Sequence, residues 1–260
     1  MAVTKIDVAN SYNDRNDESK CIKSLDGIQY FTNLTYLNCS YNQLTSLDVS
    51  GCTALEKFGC NNNQLTSLDV SNNTALTGLD CYNNQLTSLD VSKNTALTLL
   101  YCSKNPLTSL DVSKNTALEK LDCSSNQLTS LDVSKNTALE YLWCSSNQLT
   151  SLDVSKNTAL TDLYCYSNQL TSLDVSKNTA LTDLRCYDNQ IVELDLSKTN
   201  LVNSTSNSDS YSYYYPLHCA PMSTLKKVYL KKGWSIKGVT EDWNRSSDYI
   251  PDHTEIVFVD

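Results

Sequence analysis

The sequence predicts a solenoid that is mostly β, with a parallel β-sheet on its concave face and short turns or single helical turns on its convex face. Three observations carry this. Cysteine recurs at Cys39, Cys60, Cys81, Cys102, Cys123, Cys144, Cys165 and Cys186, one unchanging interval of 21 residues. Asparagine follows three residues later every time, at Asn42, Asn63, Asn84, Asn105, Asn126, Asn147, Asn168 and Asn189. Between these marks the apolar positions hardly change, as in Leu118-Glu-Lys-Leu121-Asp-Cys123-Ser-Ser-Asn126-Gln-Leu128. A unit this short cannot bury its apolar side alone and must stack on its copies.

The pattern L-x-x-L-x-L/C-x-x-N at a period of 20 to 29 residues is the leucine-rich repeat signature, so the fold class is an α/β-type leucine-rich repeat solenoid. Taken in order, the chain divides into four stretches. Residues 1–33 form an opening repeat with a polar insertion: Val3-Thr-Lys-Ile6-Asp-Val8 reads as its strand, with Val8 in the cysteine slot, and Asn10 to Lys20 as a solvated loop. Residues 34–200 hold eight regular repeats. In the first, Leu34, Leu37 and Cys39 point inward while Tyr36, Asn38 and Ser40 point outward, the period-2 alternation of a strand. Asn42 turns the chain and is expected to bond backbone groups of the neighbouring turn. Leu44, Leu47 and Val49 fill the core from the opposite side. Ser92 to Leu97 reads as a tight return, with Asn94 or Thr95 capping a single helical turn. Residues 201–224 are a degenerate repeat with a Tyr/Ser-rich insertion that includes Tyr211, Tyr213, Tyr214 and Tyr215. That insertion either overhangs the end of the concave face or is a plain surface loop. In residues 225–260, Leu225-x-x-Val228-x-Leu230 resumes the strand pattern with Gly233 in the asparagine slot, and Glu255 to Val259 adds a last strand. This stretch reads as a C-terminal cap.

Composition limits the partners. The chain of 260 residues carries 29 acidic against 20 basic residues, a net charge of −9. That argues against nucleic acid and anionic membrane, which need basic surface. No apolar run approaches the ~20 residues of a membrane span, so no membrane insertion is expected. The opening MAVTKIDVAN lacks the apolar core of a signal peptide, which fits either an intracellular chain or one whose leader is missing. The chain is expected to be a monomer, with the uncapped N-terminal edge as the route to a dimer.

The eleven cysteines are expected to be reduced where they form the ladder. Adjacent rungs of a parallel sheet lie ~4.8 Å apart with parallel Cβ vectors, whereas a disulfide needs Cβ atoms at ~3.8 Å. A free cysteine packs as a small hydrophobe. No C-x-x-C or Cys/His pair points to a metal. Cys21, Cys52 and Cys219 fall outside the ladder and receive no role. Asp48, Asp69, Asp90, Asp111, Asp132, Asp153, Asp174 and Asp195 form an outward acidic row. It reads as a solvated flank, partly balanced by lysines such as Lys93 and Lys114, with a row of calcium ions as the alternative. No metal and no cofactor is expected.

No catalytic constellation is visible. His218 and His253 are isolated, and G-x-S-x-G, H-E-x-x-H and glycine-rich phosphate loops do not occur, so the chain is not expected to be an enzyme. The repeats instead act as controls on one another. Core and turn slots barely vary, while the outward strand slots vary almost every time and collect aromatic residues. The ligand-binding candidates are therefore Tyr36, Tyr82, Tyr101, Tyr141, Trp143, Tyr164, Tyr166, Arg185 and Tyr187. Tyr and Trp on a rigid surface give large contact area at little entropic cost. The competing reading is that aromatics merely stabilise an open sheet face.

These repeats resemble the internalin-type bacterial leucine-rich repeats, in their cysteine-ladder variety, whose 21-residue unit runs L-T-x-L-x-C-x-x-N-x-L-T-x-L-D-V-S. The pattern is found from Leu34 to Ser197. The opening VTKIDV and the following IKSLDGIQYFTNL (Ile22 to Leu34) are also similar to the first repeat of such proteins. The resemblance implies an extracellular or cell-surface protein that binds a host protein or glycan. The leading reading is thus a non-enzymatic binding module that recognises a protein or glycan through its aromatic concave face. The alternative is a rigid structural spacer without its own ligand.

Overall fold

The computed structural model describes residues 3–11, 19–201, 217–219, 222–232 and 253–260. Most of the polar insertion, the segment after Leu201 with Tyr211 to Tyr215, and Gly233 lie outside these residues. The strands are β1 (Lys5–Asp7), β2 (Tyr36–Asn38), β3 (Lys57–Gly59), β4 (Gly78–Asp80), β5 (Leu99–Tyr101), β6 (Lys120–Asp122) and β7 (Tyr141–Trp143). They continue with β8 (Asp162–Tyr164), β9 (Asp183–Arg185), β10 (Glu193–Asp195), β11 (Leu217–His218), β12 (Lys227–Lys231) and β13 (Glu255–Val259). Strands β1 to β9 followed by β11 form one parallel sheet of ten strands, in which β1 to β9 lie in sequence order.

Strands β1 to β10 are each three residues long, with the middle residue dictated by the core. Leu37, Phe58, Leu79, Leu100, Leu121, Leu142, Leu163 and Leu184 pair rung to rung in strict register. All of them are buried. The cysteine two residues on is fully buried in every rung, as are the facing leucine and valine, Leu44 and Val49 in the first repeat. A residue with φ between 51° and 58° follows in each repeat: Tyr41, Asn62, Asn83, Lys104, Ser125, Ser146, Ser167 and Asp188. This left-handed step costs a non-glycine residue about 1 kcal/mol, and the asparagine next in line stabilises it. The Asn126 amide donates to the carbonyls of Cys102 (3.2 Å), Cys123 (3.0 Å) and Ser124 (3.2 Å), and its Oδ1 accepts the Leu107 N–H (3.1 Å). The same set recurs along the row.

One expectation is corrected, and three features that the sequence left unassigned find their places. The return segment forms non-helical turns, and Asn94 caps nothing. Its Nδ2 donates to the carbonyls of Val70 and Asn73, both at 2.9 Å. Asn73, Asn94, Asn115, Asn136, Asn157 and Asn178 make a second, fully buried asparagine row on the opposite wall. Cys52 occupies the first place of that row. Its carbonyl accepts from Asn73 and its thiol donates to the Ile28 carbonyl at 3.3 Å. Cys219 has a role as well: β11 pairs with β9, so Cys219 is buried beyond Cys186 and prolongs the cysteine ladder. Finally, β12 does not resume the main sheet. Val228 pairs with Leu194 and Tyr229 with Asp195, so β10, β12 and β13 form a separate three-stranded parallel sheet on the wall that carries the L-D-V segments. Alternation alone cannot say which wall a strand joins.

All eleven cysteines are free thiols, and only Cys21 is not buried. Burial pushes the Cys39 and Cys219 thiols up to about 12 and raises Cys60, Cys102, Cys123, Cys144, Cys165 and Cys186 as well. The thiolate is the reactive species, so a thiol reagent at neutral pH is expected to label Cys21 promptly and the ladder only on unfolding. Rapid labelling of several native thiols, or linked rungs in mass spectrometry, would contradict this.

The acidic row is explained locally. Each carboxylate accepts the N–H of the serine two residues on, as Asp90 does from Ser92 at 2.8 Å. Hydrogen bonds from that serine are the main reason Asp48, Asp69, Asp90, Asp111, Asp132, Asp153 and Asp174 are held below the ordinary carboxylate value, the hydroxyl leading at Asp48, Asp69 and Asp153 and the N–H at the others. Depressed carboxyls stabilise above their unfolded pKa of about 3.9 and lose that contribution as pH falls through the folded values. Asp80 and Asp162, raised mainly by burial, oppose this but are outnumbered. The melting temperature is therefore expected to fall on acidification below about pH 4. A melting temperature that rises there would refute it.

Candidate binding face

The outer face of the ten-stranded sheet presents the residues before and after each buried strand centre. Strict register turns sequence slots into columns. Asn38, Gly59, Asp80, Tyr101, Asp122, Trp143, Tyr164 and Arg185 form one, and Tyr36, Lys57, Gly78, Leu99, Lys120, Tyr141, Asp162 and Asp183 the other. All nine candidate residues lie on this face and are half-buried.

The structure brings most of them together. Trp143 stacks on Tyr164 with ring centroids 5.5 Å apart and planes within 11°. Tyr101 leans over the intervening Asp122 rung to stack on Trp143 at 6.4 Å. The Arg185 guanidinium lies over the Tyr164 ring at 4.3 Å. The result is a continuous column, Tyr101–Trp143–Tyr164–Arg185. Tyr141 stands beside Trp143 with the Lys120 ammonium 4.5 Å above its ring. Together with Tyr101 these residues line a cleft of about 110 Å³. Tyr166 and Tyr187 form a separate stack at 4.5 Å on the neighbouring slot. Tyr36 and Tyr82 stand apart, each under a lysine, Lys5 at 4.5 Å and Lys104 at 5.2 Å.

The column is anchored from below by a residue outside the candidate set. Asp183 is completely buried, accepts the Tyr164 hydroxyl at 2.7 Å and pairs with Arg185 at 3.4 Å. A buried carboxylate with two such partners fixes both rings' neighbours in one geometry. Tyr164 and Asp183 occupy diagonal slots of adjacent rungs, so the pairing follows once the repeats are aligned in columns. One group is left over: the indole N–H of Trp143 is buried and has no hydrogen-bond partner. An orphaned donor costs about 1–3 kcal/mol, which an acceptor brought by a ligand would recover. Among the described residues no cluster has the composition of a metal site, and no helix is long and apolar enough to cross a membrane.

Comparison with known proteins agrees with this architecture. The sequence profile of the leucine-rich repeat family, in its two-copy form, matches residues 32–73, 116–157 and 137–178. The functional domain of internalin J from Listeria monocytogenes, described as including a cysteine ladder, is 36% identical. That match covers 88% of this chain and 49% of that one, with a TM-score of 0.62. The chain thus spans about half the length of that domain. Internalin F from the same organism is 22% identical over 99% of this chain and 82% of its own, with a TM-score of 0.60. A leucine-rich repeat protein of Leptospira interrogans is 21% identical over 88% of this chain and 66% of its own, with a TM-score of 0.57. At that identity the last two share the fold alone. No curated protein sequence matches the chain.

Proposed function

Because the chain belongs to the leucine-rich repeat family, with the cysteine-ladder repeat of the internalin type, we propose that it is a non-enzymatic recognition module whose ligand docks on the aromatic concave face. The observation that carries the reading is the column Tyr101–Trp143–Tyr164–Arg185. It arises in slots that packing leaves free, on strands whose core residues are otherwise near-identical. Pre-ordered rings lose little entropy on binding, and the buried Trp143 N–H rewards an acceptor. The partner is a protein or a glycan presented outside a cell, and the module belongs to an exported or surface-held protein.

A second reading, a stiff spacer, is favoured by the near-identity of the turn and flank segments from repeat to repeat. The two are separated by capture from mucosal extract and by a glycan array, each run beside the Trp143→Ala, Tyr164→Ala double variant. Binding by the wild type that the double variant loses supports recognition through the column. Binding that survives it removes the column from the reading, and silence of the wild type in both formats leaves the spacer.

A further inference from the structure

The same face carries a second feature, one to two rungs beyond the Tyr101 end of the column and made of different chemistry. At Gly59 and Gly78 the outward slots hold no side chain. Around that gap lies a hollow of about 400 Å³, within the ~300–1,000 Å³ range of small-ligand sites. The glycines are what keep it open. A Cβ at Gly59 would lie 3.1 Å from Asn38 Oδ1 and 3.3 Å from Ser40 Oγ, and one at Gly78 3.1 Å from Lys57 Cδ.

The rim is polar, and its charges cancel. Lys57 stands on one side of Gly59 and Asp80 on the other, each one rung or one slot away. Neither makes an ion pair among the described residues. Among the described residues the Asp80 carboxylate accepts the Asn61 amide at 2.5 Å and the Tyr82 N–H at 3.2 Å, and Asp80 lines the hollow with acceptor capacity to spare. Asn38 accepts from Ser40 through Oδ1 at 2.7 Å, leaving its NH₂ group as a donor. Tyr36 adds a ring at the edge, held by Lys5 at 4.5 Å.

We infer that this hollow binds one neutral pyranose unit of a saccharide. A vicinal diol matches the rim: each hydroxyl can donate to the Asp80 carboxylate and accept from Lys57 or Asn38, while the ring's C–H face lies against Tyr36. A cationic group would meet Lys57 and an anionic one Asp80, so a neutral, multiply hydroxylated ligand suits both walls where a charged one suits one. The site is open and small, so a single sugar should bind with a dissociation constant in the millimolar range. The inference stands on residues separate from the aromatic column, and either can fail without the other.

The test is a titration followed by the backbone amide resonances of Gly59 and Gly78 and the side-chain amides of Asn38 and Asn61. The probes are D-glucose, D-galactose and N-acetyl-D-glucosamine as neutral sugars. Glucosamine, N-acetylneuraminic acid and glycine serve as cationic, anionic and zwitterionic controls. At least one neutral sugar is expected to shift these resonances saturably. Asp80→Asn and Lys57→Gln should each weaken it about tenfold. Lys57 lies on the surface, so its variant is read without concern for folding. No shift with any neutral sugar, a stronger response to a charged control or to glycine, or full binding by both rim variants would overturn the assignment.

Discussion

Asn126→Ala is expected to lower the free energy of unfolding by about 2–4 kcal/mol, toward the upper end of what single substitutions do. The reason is the number of groups one side chain serves. The Leu107 N–H loses its acceptor, and the carbonyls of Cys102, Cys123 and Ser124 each lose one of two donors, keeping the Asn105 amide, the Asn147 amide and the Lys104 N–H. The orphaned N–H costs about 1–3 kcal/mol, and each second bond lost about 0.5–1.5 kcal/mol, reduced where water can enter. Two of the four partners belong to the preceding repeat, so the substitution also weakens the contact between rungs. In a solenoid stability is a sum over repeats and their interfaces, and a break in the middle should broaden the urea transition as well as shift it. Asn115→Ala in the opposite row gives the internal comparison. It removes only a second donor from the carbonyls of Val91 and Asn94, which keep the Asn94 and Leu97 N–H groups, and its Oδ1 has no partner to lose, so a smaller loss of about 1–2 kcal/mol is expected. Equal costs in the two variants, or a cost below about 1 kcal/mol for Asn126→Ala, would contradict the account.

Those two asparagines also show what was legible in the sequence. Asn126 announces itself because its slot carries asparagine in every regular repeat beside a cysteine that fixes the strand. Asn94 recurs almost as faithfully, yet Ser-Lys-Asn-Thr is also the local chemistry of a helix cap. Its true partners, the carbonyls of Val70 and Asn73, belong to the repeat before it, and local chemistry cannot display a bond to another rung. Cys52 was opaque for the same reason: its meaning lies in standing where later repeats place asparagine. The wall chosen by β12 was hidden because Leu225-x-x-Val228-x-Leu230 satisfies the alternation of either wall. On the outer face the gain came from register. With strands aligned by the 21-residue shift, Trp143 and Tyr164 become neighbours by arithmetic. The lean of Tyr101 across the Asp122 rung and the full burial of Asp183 depend on side-chain packing that no column of letters contains. The hollow over Gly59 was the least visible feature, since it consists of missing side chains.

The second large effect is expected on binding. Trp143→Ala together with Tyr164→Ala should weaken the complex with a captured macromolecular partner by at least about a hundredfold, as two central anchors at ~2 kcal/mol each would. The geometry says why the pair matters more than either residue. Trp143 is stacked on both sides, by Tyr101 and by Tyr164. Removing Tyr164 frees the Trp143 ring, uncovers Asp183 and takes away the surface on which Arg185 lies. Removing Trp143 leaves Tyr101 leaning on nothing. The column should therefore lose its order as well as its area, and the two single substitutions should be strongly non-additive in a double-mutant cycle. Folding provides the control. The middle residues of the same strands, Leu142 and Leu163, are fully buried and untouched by the change, while each ring stack contributes about 0.5–1.5 kcal/mol. A modest drop in melting temperature with a large drop in affinity is the signature of a recognition surface. A drop in stability with unchanged affinity would show that the rings serve the sheet alone and that the ligand is read elsewhere.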